Sequence, residues 1–302
     1  MNDKQFTYFL KKILPVLALA LLLCLVTRIV FAGVYASEKK AYEEHSSDIS
    51  DGYDSSNSPE DSSDAESDET GDSQSKETDT EAANADSVIL KPTTDAGQDY
   101  IDKIVFLGDS TTYALSYYDI VRKNQVWTGA GENGGTNGTL ALYTTINQTK
   151  IYYPDDDCAL TIGEAVAKKK PAYLVITLGL NGGVAGYFEE RQFKASYRKL
   201  IETVKENSPT TVMILQNIFP VAANLDTQKN PTISNERIDK ANVWVKDVAK
   251  EYGLKYLDSQ ECLRGVDGYM QNSYQSGDGI HMTPTGLRVL INYIRTHAYE
   301  LQ

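Results

Sequence analysis

Short apolar segments alternate with amphipathic stretches from about residue 99 onward. Five segments have the length and composition of strands buried in a sheet, at 104–107, 125–128, 173–178, 211–216 and 254–257. Between and after them, apolar side chains recur at helical spacing, at 113–121, 161–170, 191–207, 234–252 and 287–299. Strands that alternate with helices predict an α/β domain whose parallel sheet is covered on both faces.

The first predicted strand stops at Gly108, and polar residues that favour a helix cap follow it. Ser110 therefore lies on a sharp turn at the carboxyl end of a strand, close to backbone N–H groups that a helix start leaves unpaired. An anion that forms beside this serine would be stabilised there. Alone, Gly-Asp-Ser equally describes an ordinary capped turn.

A second candidate lies near the other end of the chain, where Asp278 precedes His281 by three residues. At this spacing a carboxylate can reach Nδ1 of the imidazole, which fixes the tautomer and leaves Nε2 free to act as a base. The other two histidines are less suitable, because His45 lies in a polar segment and His297 in the last predicted helix.

Two further motifs indicate turns and loops. Residues 129–134 match Gly-x-Gly-x-x-Gly, but more glycine follows instead of the apolar helix of a dinucleotide site, so we expect a loop that lines a pocket. The acidic triplet 155–157 follows Pro154 and predicts a turn. We therefore expect no metal and no cofactor, and nothing indicates a nucleic-acid partner.

An apolar segment near the start of the chain is open to two interpretations. As a signal peptide it would be cleaved near Ala36 and the protein secreted. As an anchor it would cross the membrane once, since 13–35 is long enough and Arg28 lies near one end. We favour a cytoplasmic tail at 1–12 and a transmembrane signal anchor at 13–36. The lysines before the segment place everything after it outside the cell.

Residues 37–98 have almost no apolar clusters and predict a disordered acidic linker. Between Glu43 and Asp86, 16 acidic side chains face one lysine, a net charge of −15, whereas the whole chain carries −13. The folded domain at 99–302 is thus close to neutral. The acidity of the chain gives no information about the charge of a substrate.

Three short motifs occur along the domain: Gly108-Asp109-Ser110 near its start, Gly179-Leu180-Asn181 after a central strand, and Asp278-Gly279-Ile280-His281 before the last helix. Together they resemble the motifs of the SGNH or GDSL-type hydrolases. The resemblance covers the domain from about residue 99. It implies a three-layer, flavodoxin-like sandwich with a five-stranded parallel sheet in the order 2-1-3-4-5.

The same resemblance implies catalytic roles. Ser110 would be the nucleophile, His281 the base and Asp278 the residue that orients it. An oxyanion hole would be formed by the Ser110 N–H, the Asn181 side chain and a glycine N–H, for which we choose Gly138 among several glycines of its loop. These groups serve acyl transfer to serine and then hydrolysis, so we expect a serine hydrolase that acts on ester bonds.

An outward-facing domain on a membrane tether meets cell-surface polymers. We therefore expect an esterase that removes O-acetyl or other small acyl groups from a polysaccharide or peptidoglycan. The chain has 20 tyrosines against 7 phenylalanines, and several could stack on sugars: Tyr117, Tyr118, Tyr187, Tyr269 and Tyr274. The alternative is a surface carbohydrate-binding or scaffold protein that keeps this fold without turnover. Cys158 and Cys262 either pair or serve as small core residues.

Overall fold

The structure is a computed structural model, which describes residues 88–132, 134–145, 149–186 and 189–299. The residues in these ranges form seven strands: β1 (Ile104–Gly108), β2 (Val126–Trp127), β3 (Lys150–Tyr153), β4 (Cys158–Thr161), β5 (Tyr173–Thr177), β6 (Val212–Gln216) and β7 (Lys255–Leu257). Five of them form one sheet in the order β2-β1-β5-β6-β7. All neighbours in this sheet are parallel. Counted within the sheet, the order is 2-1-3-4-5, which confirms the predicted topology.

Helices cover both faces of the sheet. They are α1 (Gly97–Ile101), α2 (Ser110–Tyr117), α3 (Ile162–Lys169), α4 (Glu190–Asn207), α5 (Asn235–Tyr252), α6 (Gln260–Leu263) and α7 (Pro284–Arg295). Alternate side chains of β1 enter opposite cores. Val105 and Leu107 pack with α3, α4 and α5, whereas Ile104 and Phe106 pack with α1, α2, α6 and α7. The central strand is buried on both faces, as its continuous apolar run predicts.

Local sequence signals explain where several helices begin and end. The side chains of Ser234 and Thr283 accept hydrogen bonds from backbone N–H groups at the starts of α5 and α7. Pro284 occupies the first position of α7, where no N–H is needed. Gly253 ends α5 in the left-handed conformation, with φ of 65°.

One local prediction needs correction, and one pair of strands was missed. The helix predicted at 113–121 spans Ser110–Tyr117, because the Asp109 side chain caps its start, so Ser110 is its first residue. The antiparallel pair of β3 and β4 was not predicted. The acidic triplet 155–157 lies in the turn that joins them, and two of its carboxylates form ion pairs with lysines of α3.

The linker predicted to extend to residue 98 is also corrected, because residues 88–98 pack on the domain. Val88 and Leu90 are buried. The backbone of Tyr256 in β7 accepts from the Leu90 N–H at 2.8 Å and donates to the Val88 carbonyl at 2.9 Å. Asp95 forms an ion pair with Arg295 at the end of α7. The described fold therefore begins at Val88, and the apolar triplet 88–90 was the sequence signal for this.

The predicted tail at 1–12, the membrane segment at 13–36 and most of the linker lie outside the described residues. Within the described ranges, no helix is both long and apolar enough to cross a bilayer. Cys158 and Cys262 are both free thiols. Each packs against one of the two cores, and burial raises the pKa of the Cys262 thiol to about 12. The structure thus favours small packing residues over a disulfide.

Candidate active site

The turn between β1 and α2 places Ser110 at the carboxyl end of the central strand. Gly108 is required there, because a Cβ on it would lie 2.1 Å from Thr112 Oγ1 and 2.6 Å from the Thr177 carbonyl oxygen. Asp109 Oδ1 accepts hydrogen bonds from the Thr111 N–H at 3.0 Å and from Thr111 Oγ1 at 2.7 Å. Among the described residues, no acceptor contacts the Ser110 N–H. That N–H is therefore free to bind a ligand oxygen at a helix start.

Asp278 organises the loop that carries His281. Its Oδ1 accepts hydrogen bonds from the N–H groups of Ile280 and His281, both at 2.9 Å. Its Oδ2 lies 2.6 Å from His281 Nδ1. Partial burial acts to raise the pKa of this carboxyl group, but the hydrogen bonds from His281 and Ile280 outweigh burial and lower it. The carboxylate form is thus favoured beside the imidazole.

Gly279 ties the same loop to the segment that follows β6. Its φ is +79°, in the left-handed region. A Cβ on it would lie 2.7 Å from the Leu225 Cα. Its carbonyl accepts a hydrogen bond from the Ala222 N–H at 2.8 Å. The Asp-Gly dipeptide at 278–279 was the available signal for this turn.

His281 Nε2 lies 2.8 Å from Ser110 Oγ, across 171 positions of sequence. With Nδ1–H donating to Asp278, Nε2 carries the lone pair and accepts the hydrogen bond from the serine hydroxyl. The structure therefore brings together the three residues that the motifs predicted. A carboxylate, an imidazole and a hydroxyl in this series can remove a proton from the hydroxyl oxygen.

Asp109 is a second carboxylate close to His281, but it has a different environment. It is only 2 % exposed. Burial raises its pKa, although hydrogen bonds from Thr111, the charge of His281 and the Asn181 backbone N–H act in the opposite direction. Because Oδ1 caps α2, Asp109 holds the turn that presents Ser110. The carboxylate that hydrogen-bonds the imidazole is Asp278.

Asn181 and Gly138, which are predicted to complete the oxyanion hole with the Ser110 N–H, lie in neighbouring loops. Asn181 follows β5, and its Nδ2 donates to Thr139 Oγ1 at 2.9 Å. The Gly138 N–H donates to Thr136 Oγ1 at 2.8 Å. The Gly138 N–H thus has a partner, and so does one of the two N–H bonds of the Asn181 amide. Their catalytic roles stay predictions. Thr136 and Thr139 were both missed. Thr139 contacts a residue 42 positions away, which no local pattern marks, whereas Thr136 is only two positions from Gly138 in a loop without a clear pattern.

A crevice opens beside the turn that carries Ser110. Its walls are mostly apolar side chains from the segments after β5 and β6 and from the loop at 278–281. They include Leu178, Leu180, Ile218, Phe219 and Ile280. In the described ranges, no group of three or more His, Cys, Asp or Glu side chains is close enough to hold a metal ion.

The family model of the GDSL-like lipases and acylhydrolases matches residues 106–289, more than half of the chain. This chain belongs to the GDSL-like lipase/acylhydrolase family. The match includes the three predicted motifs, and the family acts on esters. A search of curated proteins found no match.

Several solved structures are similar to this GDSL-family chain at low identity. One, described as a platelet activating factor protein from Streptococcus pneumonia, is 19% identical, with a TM-score of 0.49, over 73% of this chain and 99% of that one. An acylhydrolase from Bacteroides fragilis is 22% identical, with a TM-score of 0.46, over 74% and 96%. A GDSL-like lipase from Bacteroides thetaiotaomicron is 20% identical, with a TM-score of 0.47, over 73% and 95%.

Proposed function

We propose that this GDSL-family chain is a serine esterase in which Ser110 is the nucleophile, His281 the general base and Asp278 the residue that orients the imidazole. One observation carries the proposal. The Asp278 carboxylate, the His281 ring and the Ser110 hydroxyl form a continuous hydrogen-bonded series, with distances of 2.6 and 2.8 Å. A histidine that merely packed in a loop would need no serine at the start of a helix as its second partner.

In the acylation step, Ser110 Oγ attacks the ester carbonyl carbon while His281 Nε2 takes the hydroxyl proton. Negative charge develops on the former carbonyl oxygen, beside the Ser110 N–H and the start of α2. The bond to the alcohol then breaks, and the imidazolium returns the proton to the departing alkoxide oxygen. The acyl group is left on Ser110.

In the deacylation step, water replaces the alcohol. His281 Nε2 takes a proton from the water as its oxygen attacks the acyl carbon. When the second tetrahedral intermediate collapses, the proton passes to Ser110 Oγ and the carboxylic acid leaves. Throughout, Asp278 accepts from Nδ1–H and stabilises the positive imidazolium.

We infer further that the domain acts outside the cell, anchored through residues 13–36 or secreted after cleavage near Ala36. In that location we expect it to remove acetyl or other small acyl groups from a cell-surface polysaccharide or peptidoglycan. The crevice beside the turn that carries Ser110 supports binding of an acyl group there, because its walls are mostly apolar. Protease digestion of intact cells tests the location, since an outward-facing domain is cut without lysis.

The catalytic proposal is tested with acetyl, butyryl and octanoyl nitrophenyl esters. We expect highest kcat/KM for acetyl, and a loss of several orders of magnitude in Ser110→Ala. Ser116→Ala is the matched control, because Ser116 lies in the same helix but its Oγ bonds only the Tyr113 carbonyl in the structure. Turnover by Ser110→Ala at the rate of the control would overturn the proposal. Glycan binding by a wild-type protein without turnover would favour the non-catalytic alternative.

A further inference from the structure

Helix α2 carries the nucleophile and two tyrosines on one exposed stripe. Five of its eight residues are buried, and the three others are Ser110, Tyr113 and Tyr117. The spacing i, i+3, i+7 places them on one face of the helix. At about 1.5 Å of rise per residue, the stripe extends about 10 Å from the serine. Tyr117 is 64% exposed.

The rings of this stripe are held in place by their neighbours. A Cβ on Gly138 would lie 3.2 Å from Tyr113 Cδ1, so the backbone of that glycine packs on the Tyr113 ring. The centroids of Tyr113 and Tyr117 are 5.9 Å apart. Tyr118 meets Tyr117 edge-on, with centroids 4.9 Å apart and an interplanar angle of 84°. Aromatic rings fixed before binding lose little conformational entropy when a ligand stacks on them.

Burial does not account for Tyr117, since most of its ring faces solvent in the structure. The residues that follow it, Tyr118 and Asp119, are exposed and carry polar groups. A long acyl chain would need a continuous apolar surface. A sugar ring instead offers C–H groups to an aromatic face and hydroxyls to the polar rim, and tyrosine combines an apolar ring with a polar tip.

We propose that Tyr113 and Tyr117 form a stacking platform for the sugar chain that carries the ester. This inference rests on the proposed esterase function and narrows its substrate class to an O-acetylated chain of pyranose units. Pyranose rings with equatorial substituents offer flat C–H faces for stacking. The esterified unit lies at Ser110, and units next to it run along the outer face of α2 over the two rings.

The test compares two substrates that transfer the same acetyl group to Ser110. Chemically O-acetylated chitotetraose has a sugar as its alcohol part, whereas 4-nitrophenyl acetate has none. We expect Tyr117→Ala to lower the ratio of their kcat/KM values, glycan over nitrophenyl ester, by about 5-fold, mainly through KM. Tyr117→Phe keeps the ring and most of the ratio. Tyr252→Ala is the control, because Tyr252 is a half-buried tyrosine at the last position of α5, where its hydroxyl donates to Glu202.

The inference is overturned if Tyr117→Ala leaves the ratio unchanged, or if Tyr252→Ala lowers it equally. It is also overturned if the wild-type enzyme turns over 4-nitrophenyl acetate but not the acetylated glycan. Failure of the esterase function itself gives a different pattern. In that case neither substrate is turned over, or Ser110→Ala turns over both at the wild-type rate.

Discussion

Ser110 follows the central strand of the sheet, whereas His281 and Asp278 lie in a loop near the surface. The turn before the serine includes Gly108, which pairs with Thr177 in β5, and the buried cap Asp109. In contrast, the His281 and Asp278 side chains are 36% and 49% exposed. One half of the site is part of the core, and the other depends on a few local hydrogen bonds.

Because of this difference, substitutions in the two regions should affect stability and activity differently. A substitution that adds volume to the packed turn before Ser110 disturbs strands and helices that fold cooperatively, so stability and activity fall together. A change in the loop at 278–281 leaves the cores intact but moves the base away from the serine. Misplacement of a reacting group by about 1 Å can cost on the order of 100-fold in rate. Activity then falls while the fold stays stable.

Among changes in the loop at 278–281, Asp278→Asn is expected to give the largest loss of turnover without unfolding. The amide can still accept hydrogen bonds from the loop, but it no longer holds the Nδ1–H tautomer, so kcat should fall on the order of 10³-fold. Asp267→Asn is the control, since Asp267 also accepts a backbone hydrogen bond in a surface loop. Steady-state kinetics measures kcat for both variants. Equal kcat values for Asp278→Asn and the control would contradict the assignment of Asp278 as the residue that orients His281.

Asn181→Ala is expected to lower kcat on the order of 10² to 10³-fold with little change in the melting temperature, because it removes one oxyanion donor. Thr139→Val breaks the same hydrogen bond between the loops but keeps the Asn181 amide. If Asn181 served only to join the loops, the two variants would show the same kcat and the same loss of stability.

A pair of glycine substitutions tests the comparison directly. Gly108→Ala places a Cβ against the Thr177 carbonyl, so the free energy of unfolding should fall by about 2–3 kcal/mol. Gly279→Ala puts a side chain at positive φ beside Leu225 and should lower kcat/KM by about 10- to 100-fold. Urea unfolding measures the free energy of unfolding of both variants, and steady-state kinetics measures their kcat/KM. A larger loss of stability in Gly279→Ala would show that the loop is part of the cooperative core.

Deletion of residues 1–97 tests the corrected domain boundary against a chain that begins at Val88. Loss of the buried Val88 and Leu90 and of their bonds to Tyr256 should lower the free energy of unfolding by about 2 kcal/mol. These contacts are on β7, away from Ser110, so kcat of the folded fraction should not change. Equal melting temperatures for the two chains would mean that the segment contributes nothing to stability.

Asp109→Asn should have the smallest effect, one that depends on pH. Burial raises the pKa of Asp109 in the folded state above its value in the unfolded state. The wild-type protein therefore loses stability as the pH rises through the folded-state pKa. Below the ordinary aspartate pKa of about 3.9 this loss of stability is absent. Asparagine cannot ionise and can still accept from Thr111. The variant should therefore gain stability relative to wild type between pH 4 and pH 7 in urea unfolding. If the stability of Asp109→Asn relative to wild type rose instead as the pH falls, the predicted direction would be contradicted.

The parts of the molecule that the sequence predicted are those with local signals. The run 104–107, the glycine after it and the caps at Ser234 and Thr283 each determine structure within a few residues. Asp278 and His281 are three positions apart, so their contact was also foreseeable. The hairpin β3–β4 and the Asn181–Thr139 contact were not, because they depend on tertiary packing between segments with weak patterns. Residues 88–90 were too few to show a period.

Covalent labelling by a serine-directed fluorophosphonate tests the central claim most directly. The probe reacts with a serine oxygen only when a base has activated it, so peptide mapping by mass spectrometry should find the adduct on Ser110. Labelling should disappear in Ser110→Ala and also in His281→Ala, which keeps the hydroxyl but lacks the base. An adduct on another serine, or labelling of His281→Ala at the wild-type rate, would contradict the account.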